Sequence, residues 1–507
     1  MGFYTQIAGL GALPTDTKLA SLQCDARWLW KDSDNNNALC NFWRGVENLE
    51  IDSDTVWAVS QATFMRRVQI EGELVLHDEL GWCSGGFLAD SRVKLAIDSG
   101  TQQQWLSRNN EFEAWQGDNW NMVFLGDKKG CDPVETWPER AYTSVPVTPI
   151  IQEKPFLVYD EKEGFMVYVP KLRKEATGIS WKDGATEGKK ISLDTFYIAR
   201  PETDTAETLN EALTNGKNLL FTPGIYLLDE ALKVNNADTI VLGTGLATLQ
   251  PTNGNACIET TDADGINISG ILFDAGEKES DNLLVIGEEN SSAEHVEAPI
   301  CLSDVFFRIG GADTAFAAMA KNCVKINSNN VIGDNFWVWR ADHSHNVAWD
   351  KNTAANGIII NGNDVHMYAL MVEHFMEYQT IWNGENGKLI MYQSEMPYDV
   401  PTQKDWQSHG GRMNGYASVY VDEAVENFEA WGIGIYSYHR DAAVEAFCAM
   451  ELPEKDNVKV HNVCAIMITG NPGISHVIND KGEPANTAGT RSIIIEYANG
   501  IQNREEQ

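Results

Sequence analysis

The sequence predicts an all-β protein wound as right-handed parallel β-helix, in two lengths along the chain. Short runs of five to eight Val, Ile, Leu, Phe and aromatic residues recur between Asn, Gly and Asp, as in Thr239-Ile240-Val241-Leu242, Ile266-Asn267-Ile268-Ser269 and Val365-His366-Met367-Tyr368. Such runs return at intervals in the twenties. Asp264-Gly265-Ile266 follows Asp238-Thr239-Ile240 by 26 residues, and Lys388-Leu389 follows Asp364-Val365 by 24. That period fits one β-helix coil, with Asn or Gly at the tight left-handed bends. Amphipathic helical spacing is clear in one place alone. An antiparallel sandwich would need hairpin dipeptides every 8–12 residues or so, and few are present.

Taken in order, residues 1–170 read as a first β-helix, from runs such as Val59-Ser60-Gln61, Met65-Arg66-Arg67-Val68 and Val93-Lys94-Leu95. No cap is visible before residue 40, so this β-helix is expected to lack its N-terminal cap, the chain beginning downstream of an original start. Residues 171–195, polar and glycine-bearing, are expected to be a linker. A second β-helix is expected over 196–480 and a C-terminal segment over 481–507. Asp204 to Leu213 forms the second β-helix's capping helix. Asp204 or Thr205 can cap it, and Ala206, Leu209, Ala212 and Leu213 form its apolar face. The helix covers the open edge of the first coil.

Composition narrows the function classes. Against 38 Lys and Arg stand 73 Asp and Glu, a formal charge of −35. Such a surface repels phosphate backbones and anionic lipid, so nucleic acid and membrane are not expected partners. No stretch of about 18 apolar residues is present. The start, Met1-Gly2-Phe3-Tyr4, lacks the charged and apolar regions of a signal peptide. Nine cysteines show no CxxC pair, so neither a metal nor another cofactor is expected, and several read as buried small hydrophobes.

Counting along the coils picks out a column of side chains. Glu395 lies 22 residues after Glu373, and Met367 with Leu389 and Met371 with Gln393 match at the same interval. Aligning Asn330-Val331 with Asp364-Val365 puts Trp339 beside Glu373. The three would stand on neighbouring strands about 4.8 Å apart. Two carboxyls that close repel when charged, so one is raised and keeps its proton. Protonating a glycosidic leaving group requires such an acid. Trp337, Asp342, His343, Trp349, Tyr378, Trp382, Asn383, Tyr392, Gln393, Tyr398, Gln403 and Trp406 crowd the same coils, the aromatic and hydrogen-bonding mixture of a sugar groove. Each alone is more often packing.

Longer motifs then become recognisable: Asn41-Phe42-Trp43-Arg44-Gly45-Val46-Glu47-Asn48, Gly81-Trp82-Cys83-Ser84-Gly85-Gly86-Phe87, Glu153-Lys154-Pro155-Phe156, Trp339-Arg340-Ala341-Asp342-His343, Val372-Glu373-His374-Phe375 and Ser394-Glu395-Met396-Pro397-Tyr398-Asp399. With them the chain, to roughly Asp480, resembles bacterial glycoside hydrolase family 55, the exo-β-1,3-glucanases or laminarinases. The resemblance implies two tandem, single-stranded, pectin-lyase-like β-helices with the active site in the cleft between them. It implies glucose release from β-1,3-glucan ends with inversion, by a secreted, monomeric enzyme. Glu395 matches the family's general acid and Glu373 the Glu one coil earlier. Trp339 and Tyr398 match pocket aromatics, with Asp342, Trp382 and Gln103 as further substrate contacts. The attacking water falls to Gln61 and Ser84, or to Gln103 in the place of one of them.

Two other classes fit the same architecture. A polysaccharide lyase usually needs a cationic base, whereas this column is Trp-Glu-Glu and the net charge opposes a polyanion. A non-catalytic glycan-binding β-helix would keep the aromatics without needing paired acids.

Overall fold

The computed structural model describes residues 1–27, 35–128, 137–184, 186–469 and 472–503. It is all-β, with mainly parallel sheets and one α-helix among the described residues, Ala206–Thr214. The chain forms two compact units. One comprises Met1–Ile198 with Leu220–Pro223 and Val241–Leu246; the other comprises Ala199–Leu219, Gly224–Ile240 and Ala247–Gln507.

In the second unit the strands alternate between two parallel sheets, so each pass is one coil. Asn267–Asp274, Ile300–Ile309, Val331–Arg340, His366–Glu373, Gly387–Glu395, Asn427–Ser437 and Asn457–Met467 pair in that order. Between them run the shorter strands of the other sheet, among them Ala320–Ile326, Asn356–Ile360, Thr380–Trp382, Val419–Val421, Ala446–Glu451 and Ile474–Ile478. Register stacks like positions into columns. Ile271, Val305, Phe336, Leu370, Tyr392, Ile433 and Val463 form one, all buried. Parallel strands covered on their inner face need such unbroken apolar columns.

Each long strand bends at one residue in the left-handed region. Gly270, Asp304, Asn335, Ala369, Met391, Gly432 and Asn462, with φ between 51° and 73°, occupy the same place in successive coils. Gly, Asn and Asp tolerate this conformation. Ala369 and Met391 do not tolerate it readily, and they stand four residues before Glu373 and Glu395. In this row of bends the strain therefore sits on the two coils carrying the paired carboxyls. At another corner Asn327, Asn361 and Asn383 form a side-chain amide ladder with 2.8 Å links, so Asn383 is a coil-stacking residue.

The capping helix is as expected, with Thr205 as N-cap. Its hydroxyl accepts from Thr208 N at 3.3 Å, and Ala206, Leu209, Ala212 and Leu213 are buried. Asn210 of this helix bonds both sides of the first edge strand's backbone: it accepts from Lys233 N at 2.8 Å and donates to Ala231 O at 3.0 Å. The edge is thereby paired.

In the first unit Arg44–Ile51, Thr63–Ile70, Phe87–Ala89, Gln104–Arg108, Asn121–Leu125 and Tyr142–Val145 form the parallel ladder. Thr5–Ala8 adds a strand before Arg44–Ile51, so residues ahead of 40 are themselves coil material. Residues 171–195 are not a plain linker. Arg173–Ala176 pairs antiparallel with Thr148–Ile151, and Gly188–Ser192 with Gly164–Pro170. Exposed antiparallel strands tolerate the polar composition that reads as a linker. The Glu153-Lys154-Pro155-Phe156 motif is a brace. Glu153 takes Arg108 in two bonds of 2.8 Å, Lys154 takes Glu47 at 2.8 Å, and Arg67 lies 4.3 Å over the Phe156 ring. Against the upward push of burial, the Arg108 guanidinium holds the Glu153 carboxyl down at about 2.

Candidate active site

The column counted from the sequence exists. Trp339 is the strand partner of Glu373, and Glu373 of Glu395; Tyr436 follows on the next coil. Both carboxyl residues are buried, Glu373 at 3% and Glu395 at 9% exposure. Trp337 Nε1 donates to Glu373 Oε2 at 2.8 Å. Gln393 Nε2 reaches Glu395 Oε1 at 3.4 Å, and the Tyr398 hydroxyl donates to Glu395 Oε2. His374 Nε2 lies 3.9 Å from Glu395 Oε2 and 3.7 Å from Asp342 Oδ1, and Asp342 Oδ1 meets His343 Nδ1 at 2.8 Å.

These surroundings separate the three acids. Burial raises the Glu395 carboxyl, against the pull of the His374 charge and the Tyr398 hydrogen bond. Glu373 is raised further, well above the carboxylate range, by burial and then by the Glu395 charge. Burial pushes Asp342 up too, but the His374 charge and the His343 hydrogen bond overcome it and hold Asp342 below the usual range. The result is a proton-retaining pair beside a permanent anion. Such a set can donate a proton near neutrality and accept hydrogen bonds from sugar hydroxyls.

A buried ion pair fixes the geometry. Arg340, next to Trp339, grips Asp399 with two bonds of 2.9 Å and donates to His374 O at 3.1 Å and Asn352 O at 2.9 Å. One guanidinium therefore sets both the turn bearing Tyr398 and the backbone of His374. Tyr398 meets His374 edge-on, ring centroids 4.4 Å apart, and packs on Tyr438 at 4.9 Å. The roles of Trp337, His374, Arg340 and Asp399 were not assigned from the sequence, although all but Trp337 lie within motifs quoted above.

Trp339 offers less than a free ring face. Trp337 stacks on it at 4.7 Å and 14°, His343 leans on it at 5.2 Å, and its exposure is 5%. Trp382 is a correction. It is 0% exposed, stands in the other sheet and packs edge-on against Phe428 at 5.1 Å, so no sugar reaches it. Trp406 is likewise core, and Tyr378 belongs to that other sheet's side of the coil.

In the first unit, Gln61 Nε2 donates to Ser84 Oγ at 3.0 Å, and Gln104 Nε2 approaches the same oxygen at 3.4 Å. All three are buried. Cys83 bridges to Gln102, so Gln103 follows beside Ser84 in register, yet the amide that reaches the hydroxyl is that of Gln104. Gln102 spends its side chain on Val59 O, Leu76 O and Gly85 N.

Among the described residues no group of three or more His, Cys, Asp or Glu is placed to hold a metal ion, and no helix is long and apolar enough to cross a membrane. Eight of the nine cysteines are free thiols; Cys131 lies outside the described residues.

Residues 196–395 match the LAM55 pectate lyase-like domain, a span running from the capping region to Glu395 itself. Over 499 residues the chain is 41% identical to an exo-β-1,3-glucanase of Streptomyces sp. (strain SirexAA-E / ActE), covering 97% of this chain and 80% of that protein. It superposes on the structure of sacteLam55A from Streptomyces sp. SirexAA-E with a TM-score of 0.94 at 40% identity, covering 98% of this chain and 89% of that one. A glutamate-to-alanine variant of that protein, in complex with glucose, matches with a TM-score of 0.93 at the same identity and coverage.

Proposed function

The chain belongs to glycoside hydrolase family 55 and is an exo-β-1,3-glucanase, and from that premise we propose that it releases glucose from β-1,3-glucan ends with inversion, using Glu395 as the general acid. The observation that carries the assignment is the burial of Glu395 beside a second buried carboxyl, which keeps its proton available. Tyr398 aims that proton, and its hydroxyl remains in contact with the carboxylate left behind. Glu373, fastened by Trp337, shares the pair's charge, so that losing one proton makes losing the next unfavourable. Asp342, held ionised, accepts from sugar hydroxyls, and the edge of Trp339 walls the ring.

Inversion needs a water on the opposite face of the sugar from the acid. We assign it to Gln61 and Ser84, with Gln104 as a third member. A serine hydroxyl receiving hydrogen bonds from both amides keeps its own proton to donate to a water and orient it. Each unit is taken to wind as a right-handed β-helix, the hand that nearly all parallel crossovers adopt. A polymeric substrate places the work outside the cell, and a monomer suffices for it.

The test is the product. Laminarin digested in an NMR tube should give glucose, appearing first as the α-anomer. β-Glucose appearing first would exclude inversion, and a ladder of oligosaccharides would exclude end attack.

A further inference from the structure

On the second unit, the sheet that does not carry Glu373 and Glu395 bears an aromatic stripe. Tyr378, Tyr416 and Tyr420 form a cluster, Tyr378 meeting Tyr416 edge-on at 5.1 Å and Tyr420 tilted at 5.1 Å. Phe447 and His476 continue it, ring centroids 5.0 Å apart. Coil stacking joins the two groups, because Gly415 lies so close to Ala446 Cα that a Cβ would meet it at 2.9 Å. The next residues, Tyr416 and Phe447, are therefore neighbours. All five rings are half-exposed, and they belong to four successive coils.

The stripe has the composition of a sugar track and not of a core edge. Carboxylates and an amide flank it: Glu451, the strand partner of Tyr420, holds His409 at 2.7 Å, and Glu445 accepts from Asn414 at 2.9 Å. Carboxylates beside rings accept hydroxyls and repel anions. Coil spacing of about 4.8 Å is close to the length of one sugar unit, so rings on successive coils present one apolar face per unit of an extended chain. A protein carrying a net charge of −35 suits a neutral polymer on this face.

We propose that Tyr378, Tyr416, Tyr420, Phe447 and His476 form a second, non-catalytic binding site for a β-1,3-glucan chain, on the sheet away from the paired carboxyls. It rests on the reading of the chain as a β-1,3-glucan hydrolase. It holds polymer by ring stacking, with Glu451 and Glu445 taking hydroxyls. A partly insoluble glucan would thereby be kept at the enzyme between turnovers, so the site acts on polymer and not on short oligosaccharides.

The experiment is co-sedimentation of the full chain with insoluble β-1,3-glucan particles in a Glu395→Gln background, so that no digestion intervenes. Tyr416→Ala with Tyr420→Ala should weaken retention by about tenfold, the loss of two stacking faces. Tyr416→Phe with Tyr420→Phe should retain the particles, since the faces remain. Unchanged sedimentation of the alanine pair, with its unfolding temperature preserved, would show the stripe to be packing only and overturn the proposal. Should the alanine pair fail to fold, Tyr420→Ala alone is read in the same assay: reduced retention supports the site and equal retention overturns it. Turnover by Glu395→Gln is scored separately. If that variant still released glucose, the acid assignment would fail while the sedimentation result stood.

Discussion

Glu373 and Glu395 are strand partners on adjacent coils, both buried, and each has its own fixed donor: Trp337 for the first and Tyr398 for the second. Two carboxyls so placed cannot both ionise cheaply, and their separate donors give them separate work.

Glu395→Gln removes the proton without altering shape. Glucose release from laminarin should fall about 10³-fold, within the usual contribution of a general acid. Calorimetric affinity for laminarin should stay within about twofold of the parent, because uniform binding is untouched. A variant with parental turnover would move the acid elsewhere.

Tyr398→Phe tests the direction of proton control. Burial raises Glu395, while the Tyr398 hydroxyl favours its charged form and works against that rise. Without the hydroxyl the carboxyl rises further. The alkaline limb of the kcat/KM profile, where the acid loses its proton, should therefore move to higher pH. A limb moving to lower pH would contradict the hydrogen bond's role.

Glu373→Gln carries a stability prediction. Burial and the Glu395 charge raise Glu373 above its unfolded value. A group raised in the folded state contributes stability that is present below the unfolded pKa and is lost as pH rises through the folded one. The glutamine variant has no such loss. Its unfolding temperature should gain on the parent's as pH rises above the ordinary carboxylate range, read by scanning calorimetry at each pH.

Arg340→Ala strands Asp399 in the interior without its partner. Removing one side of a buried pair costs about 3–5 kcal/mol, so denaturant unfolding should show a loss of that order. Arg340→Lys should recover only part, because one ammonium cannot make both bonds to Asp399 and still reach His374 O and Asn352 O.

The water assignment separates Gln104 from Gln103. Gln61→Ala, Ser84→Ala and Gln104→Ala should each lower kcat by about 10- to 100-fold with little change in KM, as expected where an interaction acts in the transition state. The double variant of Gln61 and Ser84 should fall less than the product of the singles, since one water serves both. Gln103→Ala should have the smaller effect. The reverse order would return the role to Gln103.

The sequence by itself determined the coil, the helix after Asp204 and the Trp339–Glu373–Glu395 column; the strands within 171–195 it did not. In a parallel coil, neighbours across strands follow from counting, and apolar columns leave no freedom of register. Trp339 and Glu373 are 34 residues apart and Glu373 and Glu395 are 22, yet both pairs are legible because the strands keep one register while the loops between them differ in length. What counting does not give is the direction a side chain takes after a bend. Trp382 and Tyr378 fall on the same coils as the column but on another sheet, where one is core and the other faces outward. The pairing of Arg340 with Asp399 and the approach of Gln104, and not Gln103, to Ser84 depend on side chains meeting across a coil. The protonation order of the acids depends on burial together with His374 and Tyr398, and burial exists only once the coils have stacked. The tertiary structure decided these features, because desolvation and ion pairing are properties of surroundings and not of sequence spacing.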